Sequence, residues 1–119
     1  MEKTLRVGIV GSGNAAVFHY AAYQRVTGIP AKVVGVTSLD KAQCEEFGRK
    51  RGIHAFDSLP DMLPAVDVID NCTPGYAHEP VSVAAFEAGK HVVVEKPFTG
   101  YYGPEGDDSF EGSRFPKQK

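Results

Sequence analysis

Apolar residues in this chain fall into two alternating patterns, short compact runs and stripes at helical spacing. The runs lie at Leu5–Val10, 31–36, 54–56, 66–71 and 91–95, and most are rich in Val and Ile. Unbroken runs of this kind suit strands buried on both faces. Phe18, Ala22 and Val26 recur at i, i+4 and i+8 and predict a helix over 14–26 with that stripe buried. Cys44, Phe47 and Gly48 share one face of a second helix, which Asp40 is placed to cap. Its last turn, Arg49-Lys50-Arg51, reads as a solvated end that complements the helix dipole rather than as a phosphate patch. Asp57 or Ser58 caps a brief helical turn over 59–63, and Val81, Ala84, Ala85 and Ala88 mark a helix over 79–88. Gly28, Gly52 and Gly89 follow three of these helices as C-terminal caps, and Pro30 bars the first from continuing.

Strand and helix therefore alternate as βαβαβαβαβ. That order predicts an α/β fold, a doubly wound parallel sheet with helices on both faces in three α/β/α layers. Residues 1–97 make one domain. Beyond it, 98–119 carries glycines, prolines and mixed charge with no apolar period, and reads as a loop or tail leading into a connection.

Composition narrows the function classes. The chain has 119 residues and a net charge of −2, which argues against nucleic acid and anionic membrane as partners. Its apolar runs are far shorter than a membrane span, and its first residues lack a signal peptide's apolar segment. Two cysteines, Cys44 and Cys72, suit a reducing cytoplasm, and their spacing is no metal pattern, so no metal is expected.

The most informative stretch is the exit of the first run, Val-Gly-Ser-Gly-Asn-Ala-Ala, a G-x-G-x-x-A pattern at Gly11, Gly13 and Ala16. On a strand–turn–helix this is the dinucleotide-binding turn of the Rossmann fold. Gly11 allows the tight exit, Gly13 lets the backbone approach a pyrophosphate, and Ala16 keeps helix and strand close. The helix start then offers its N–H groups to phosphate, so Gly11, Ser12, Gly13, Asn14 and Ala15 are candidate cofactor contacts. Asn14 could instead cap the helix. Alone the pattern is weak, since a glycine-rich turn without ligand is common. In such sheets the ligand lies outside the carboxyl ends of the strands, here 11–14, 37–38, 71–74 and 95–97.

The stretches Val7–Ala16, Asp67–Pro74 with His78, and Glu87-Ala-Gly-Lys-His-Val-Val-Val-Glu-Lys-Pro97 closely resemble the N-terminal domain of the Gfo/Idh/MocA oxidoreductases over residues 5–98. The resemblance implies an NAD(P)-dependent dehydrogenase acting on a sugar, polyol or related hydroxy compound. It implies that Thr73 and Pro74 lie along the ribose and nicotinamide and that Glu95 borders the nicotinamide ribose. Lys96 would then be the catalytic cation that stabilises a developing alkoxide as hydride leaves carbon. Pro97 fixes the exit from the fifth strand. Cys72 is expected to fill space beneath the cofactor, and His78 is either a cofactor contact or a helix-start hydrogen-bonding residue. Ser38 stands where NAD-specific domains carry an acid, Asp40 is expected to be occupied as a cap, and Lys41 offers charge. Together they lean slightly towards NADP.

The family's substrate domain, with its further proton-transfer residues, has no counterpart in these 119 residues. A piece of a longer oxidoreductase, inactive alone and prone to self-association into a homo-oligomer, is therefore expected. The alternative is a non-catalytic dinucleotide-binding or redox-sensing module, which has no need of Lys96. A methyltransferase ranks lower, since it has no use for Glu-Lys-Pro after the fifth strand.

Overall fold

The computed structural model describes residues 3–96. Pro97 and the tail expected over 98–119 lie outside them. The elements run β1 (Leu5–Val10), α1 (Asn14–Tyr23), β2 (Ala31–Thr37), α2 (Lys41–Arg51), β3 (His54–Ala55), α3 (Leu59–Met62), β4 (Val68–Asn71), α4 (His78–Glu87) and β5 (His91–Val94). Single 3-10 turns, Leu63–Ala65 and Gly75–Ala77, precede β4 and α4. The strands form one sheet in the order β3-β2-β1-β4-β5, and every pair is parallel. The doubly wound Rossmann architecture expected from the alternation is the observed one.

Alternation along β1 explains why its run is unbroken. Val7 and Ile9 face α1 and α2, in a core with Val33, Val36, Ala16, Cys44 and Phe47. Gly8 faces the opposite layer, where a Cβ would come within 2.9 Å of Met62 and Val66. Val10, Met62, Val66, Ile69 and Ala85 form that second core, under α3 and α4. Both sides of the central strand are therefore dry. β5, at the edge, has His91 and Val93 exposed.

The first helix differs from expectation. It ends at Tyr23, and the predicted stripe faces outward, with Phe18 74% exposed and Ala22 and Val26 also exposed. Ala16 sets the rotation. It is fully buried against the sheet, so Tyr20 and Tyr23, one and two turns on, pack inward. Phe18 lies roughly 200° around the helix from Ala16, on the solvent side. Gly28 closes no helix, because the helix has already stopped at Gln24 in an ordinary right-handed conformation. Gly52 and Gly89 do take the left-handed conformation, at φ 69° and 75°. Asp40 caps α2 by accepting from the Gln43 N–H, and Ser58 rather than Asp57 caps α3. Gly13 holds the cap position of α1, so Asn14 is its first helical residue and not its cap. β4 begins at Val68, two residues later than expected, and α4 begins one residue earlier, at His78.

At the amino end of the sheet Asp67 ties β1 to β4. Its carboxylate accepts from the Arg6 backbone N–H at 2.9 Å and from the guanidinium at 3.1 and 3.2 Å. Lys3 adds an ion pair at 3.4 Å. The hydrogen bonds from Arg6 hold the Asp67 carboxyl well below the usual carboxylate range. A depressed folded-state value stabilises above the unfolded value of about 4 and is lost as pH falls towards the folded one. Asp67→Asn should therefore lower the denaturation midpoint at pH 7. It should also flatten the fall in stability below about pH 4, as read by urea denaturation across pH. An unchanged pH profile would show the pair to be inert.

Candidate functional site

The strand ends are level. Thr37, Val10, Asn71 and Val94 stand in register across β2, β1, β4 and β5. The next residue on each chain segment is Ser38, Gly11, Cys72 and Glu95, all four predicted cofactor contacts. Three strand spacings separate the first from the last, roughly 14 Å. Above this row opens a crevice of about 790 Å³. Its walls include 11–15, Ser38 and Cys72–Pro74, together with Lys41 and Tyr76. The size is typical of a small-molecule or cofactor site.

The two glycines of the turn differ in what requires them. Gly11 sits at φ 108°, and a Cβ there would lie 2.6 Å from the Cys72 carbonyl oxygen. Its N–H donates to the Thr37 carbonyl at 2.8 Å, while the Cys72 N–H donates to the Val10 carbonyl at 2.8 Å. Folding itself demands glycine at this point. Gly13 has an ordinary negative φ of −91°, and a Cβ there would meet nothing within 4 Å. No packing accounts for it. The open space above Gly13 lies at the start of α1, whose first turn no side chain caps. The leading N–H groups of a helix have no partner within it and attract anions. This uncapped helix start beneath an open glycine fits a diphosphate.

Around the turn the polar side chains act as supports. Ser12 is buried, donates to Gln43 Oε1 at 2.7 Å and lies 2.8 Å from the Ser38 hydroxyl. Lys41 reaches from the start of α2 to the Asp57 carbonyl across the crevice mouth. On the far wall, fully buried Asn71 donates to the His78 carbonyl at 3.0 Å and to Ser82 at 3.1 Å. Its side-chain oxygen accepts from the Thr73 hydroxyl at 2.5 Å and from the Thr73 N–H at 3.3 Å. His78, buried at the start of α4, bonds the Thr73 carbonyl at 3.1 Å. His78 thus supports the Thr73–Pro74 turn from behind the crevice wall. Sequence reading placed Asn71 at the ligand edge, within 71–74, but gave it no supporting role.

Glu95 and Lys96 follow β5 at the same edge of the sheet and are exposed, beside the crevice wall rather than in it. Behind Cys72 lies a polar group that sequence reading missed. Asp70, fully buried on β4, accepts from Tyr23 at 3.0 Å and from the Cys72 thiol at 3.5 Å, and lies 2.7 Å from His19 Nδ1. The other nitrogen of His19 is 3.9 Å from Glu95. Burial, then the Asp70 carboxylate, pushes the Tyr23 hydroxyl and the Cys72 thiol well above their ordinary values. Nothing in local sequence spacing links His19 to Asp70, 51 positions away.

Known proteins resemble this chain in sequence and in fold. A family described as "Oxidoreductase family, NAD-binding Rossmann fold", GFO_IDH_MocA, matches residues 5–103. An inositol 2-dehydrogenase of Corynebacterium glutamicum is 35% identical over 102 residues, covering 83% of this chain and 30% of that protein. The UDP-N-acetylglucosamine 3-dehydrogenase of Acidithiobacillus ferrooxidans is 30% identical over 95 residues, covering 80% and 29%. Among solved structures, the WlbA dehydrogenase of Chromobacterium violaceum in complex with NADH and UDP-GlcNAcA superposes with a TM-score of 0.75 at 30% identity, over 82% of this chain and 29% of that one. The biliverdin reductase of Synechocystis sp. PCC 6803, in complex with biliverdin and NADP+, gives 0.72 at 29%, over 80% and 30%. The chain thus spans about 30% of the length of these relatives. With the glycine turn and level strand ends of the fold in place, the chain belongs to the Gfo/Idh/MocA oxidoreductase family through its NAD-binding Rossmann domain.

Proposed function

We propose that this chain holds a nicotinamide dinucleotide along the row from Ser38 to Glu95, as the cofactor half of a dehydrogenase for a sugar, polyol or related hydroxy compound. Gly13 carries the reading, because no neighbouring atom excludes a side chain there and the space it leaves open stands over the uncapped start of α1. The α1 start binds the diphosphate. The Thr73–Pro74 turn, fixed from below by Asn71 and His78, orients the ribose and nicotinamide. Glu95 borders that ribose. When bound, the nicotinamide supplies the hydride acceptor or donor. Lys96 stabilises the negative charge that develops on the substrate oxygen as its carbon is oxidised. Dehydrogenases acting on inositol and UDP-N-acetylglucosamine among the relatives support the substrate class.

At the adenosine end the reading favours NADP over NAD by a small factor. Ser38 brings no charge, and its hydroxyl is shared with Ser12 and the Asp40 carbonyl. The Asp40 carboxylate is turned to its own helix start, where it accepts from the Gln43 N–H at 3.0 Å. Lys41 stands at the mouth as an ammonium suited to a 2′-phosphate.

Calorimetric titration with NADH and NADPH in parallel tests both points. Saturable binding of either cofactor is expected, tighter for NADPH, and tighter NADH binding would reverse the preference alone. Gly13→Val should lower stability by no more than about 1 kcal/mol, through the weaker helix cap, and weaken binding about tenfold or more. Gly11→Ala should do the opposite first, lowering stability by about 2 kcal/mol. Unchanged affinity in Gly13→Val would remove the phosphate role of the turn. The 119-residue chain itself should bind cofactor without turning over inositol or a UDP sugar. Dehydrogenation above the buffer rate would overturn that expectation.

A further inference from the structure

The group behind Cys72 has the chemistry of a metal site. His19 Nδ1, a carboxylate oxygen of Asp70 and Cys72 Sγ all lie within 4.8 Å of one another. Imidazole, carboxylate and thiolate together are the donor types of zinc. We propose that His19, Asp70 and Cys72 form a three-ligand site for a transition-metal dication of the zinc class, pinning α1 to β4 beneath the crevice.

Three observations support it. First, Asp70 is fully buried, and among the described residues its sole ion-pair partner is His19. A dication held between that carboxylate and the His19 imidazole brings more compensating charge to the buried site than a single shared proton does. Second, the supporting groups are in place. One Asp70 oxygen can ligate while the carboxylate keeps the hydrogen bond from Tyr23 at 3.0 Å. With metal on Nδ1, the imidazole proton sits on Nε2, on the side of the ring that faces the exposed Glu95 carboxylate 3.9 Å away. Third, the ligands can be reached, since His19 is 22% exposed on its side chain and Cys72 is partly exposed.

Binding sends the Cys72 thiol proton to solvent, the neutral His19 ring keeps its single proton on Nε2, and no bond to carbon changes. The Cys44–Cys72 spacing carries no metal signature because Cys44 is not part of the set. It is buried in the α2 core, with its thiol 3.7 Å from the Val36 carbonyl. The proposal does not rest on dinucleotide binding, and it can fail or stand separately from it.

Cobalt(II) is the probe, added to the full 119-residue chain after removal of metal with a chelator. The expected result is one cobalt per chain, with a thiolate-to-cobalt charge-transfer band and the intense visible bands of tetrahedral coordination. Zinc should displace the cobalt and raise the melting temperature in a concentration-dependent manner. Cys72→Ser should abolish the charge-transfer band, and His19→Gln should weaken affinity about tenfold or more. Cys44→Ser should leave the spectrum unchanged. Wild-type protein that takes up no cobalt at micromolar concentrations would overturn the site and leave a hydrogen-bonded cluster only. A charge-transfer band that survives in Cys72→Ser would also overturn it. Since the wild-type titration needs no variant, misfolding of a substituted chain does not remove the test.

Discussion

At Gly11 three strands converge on an α-carbon with room for a hydrogen and nothing more. The Thr37 carbonyl holds its N–H, and the Cys72 carbonyl closes over the space where a side chain would begin. β1 lies between β2 and β4, so this contact sets how close the carboxyl ends of all three can come. The level row from Ser38 to Glu95 depends on it. A side chain at Gly11 would push the Cys72 segment away and tilt the Thr73–Pro74 turn with it.

Beneath the row, buried polar groups replace the apolar packing of a usual central strand. β4 ends in Asp70 and Asn71, which point to opposite layers. Asn71 reaches α4 through His78 and Ser82, and Asp70 reaches α1 through His19 and Tyr23. The carboxyl end of one strand is thereby hydrogen-bonded to a helix on each side of the sheet. Such satisfied networks specify a single geometry where apolar contacts would tolerate several. At a site that must position a cofactor within a fraction of an ångström, rigidity of this kind is useful.

Much of the fold was legible in the sequence, and the exceptions have identifiable causes. Strand runs and the glycine turn are local signals, and they yielded the parallel sheet and its ligand edge. The rotation of α1 was misread because hydrophobicity alone selected Phe18, Ala22 and Val26. The sheet selects by distance instead, and Ala16 is the residue small enough to touch it. Tyr20 and Tyr23 then turn inward despite their hydroxyls. Gly28 was read as a cap because glycine after a helical stripe usually is one. Here the stripe itself ran past the helix end. For the site, residues in the turns could be read from spacing. The bonds of Asn71 to His78 and Ser82, and the union of His19 with Asp70, could not, because each exists only once separate strands and helices have met.

The two borders of the sheet are unequal. β3 offers only two residues, while β5 offers four and stands with His91 and Val93 turned to solvent among the described residues. A backbone that joined this sheet would therefore find its longer template on the β5 side. Its own loop would emerge beside Glu95 and Lys96, at the rim of the crevice. Among the described residues, the longer open border of the sheet is thus the one that ends beside Glu95 and Lys96.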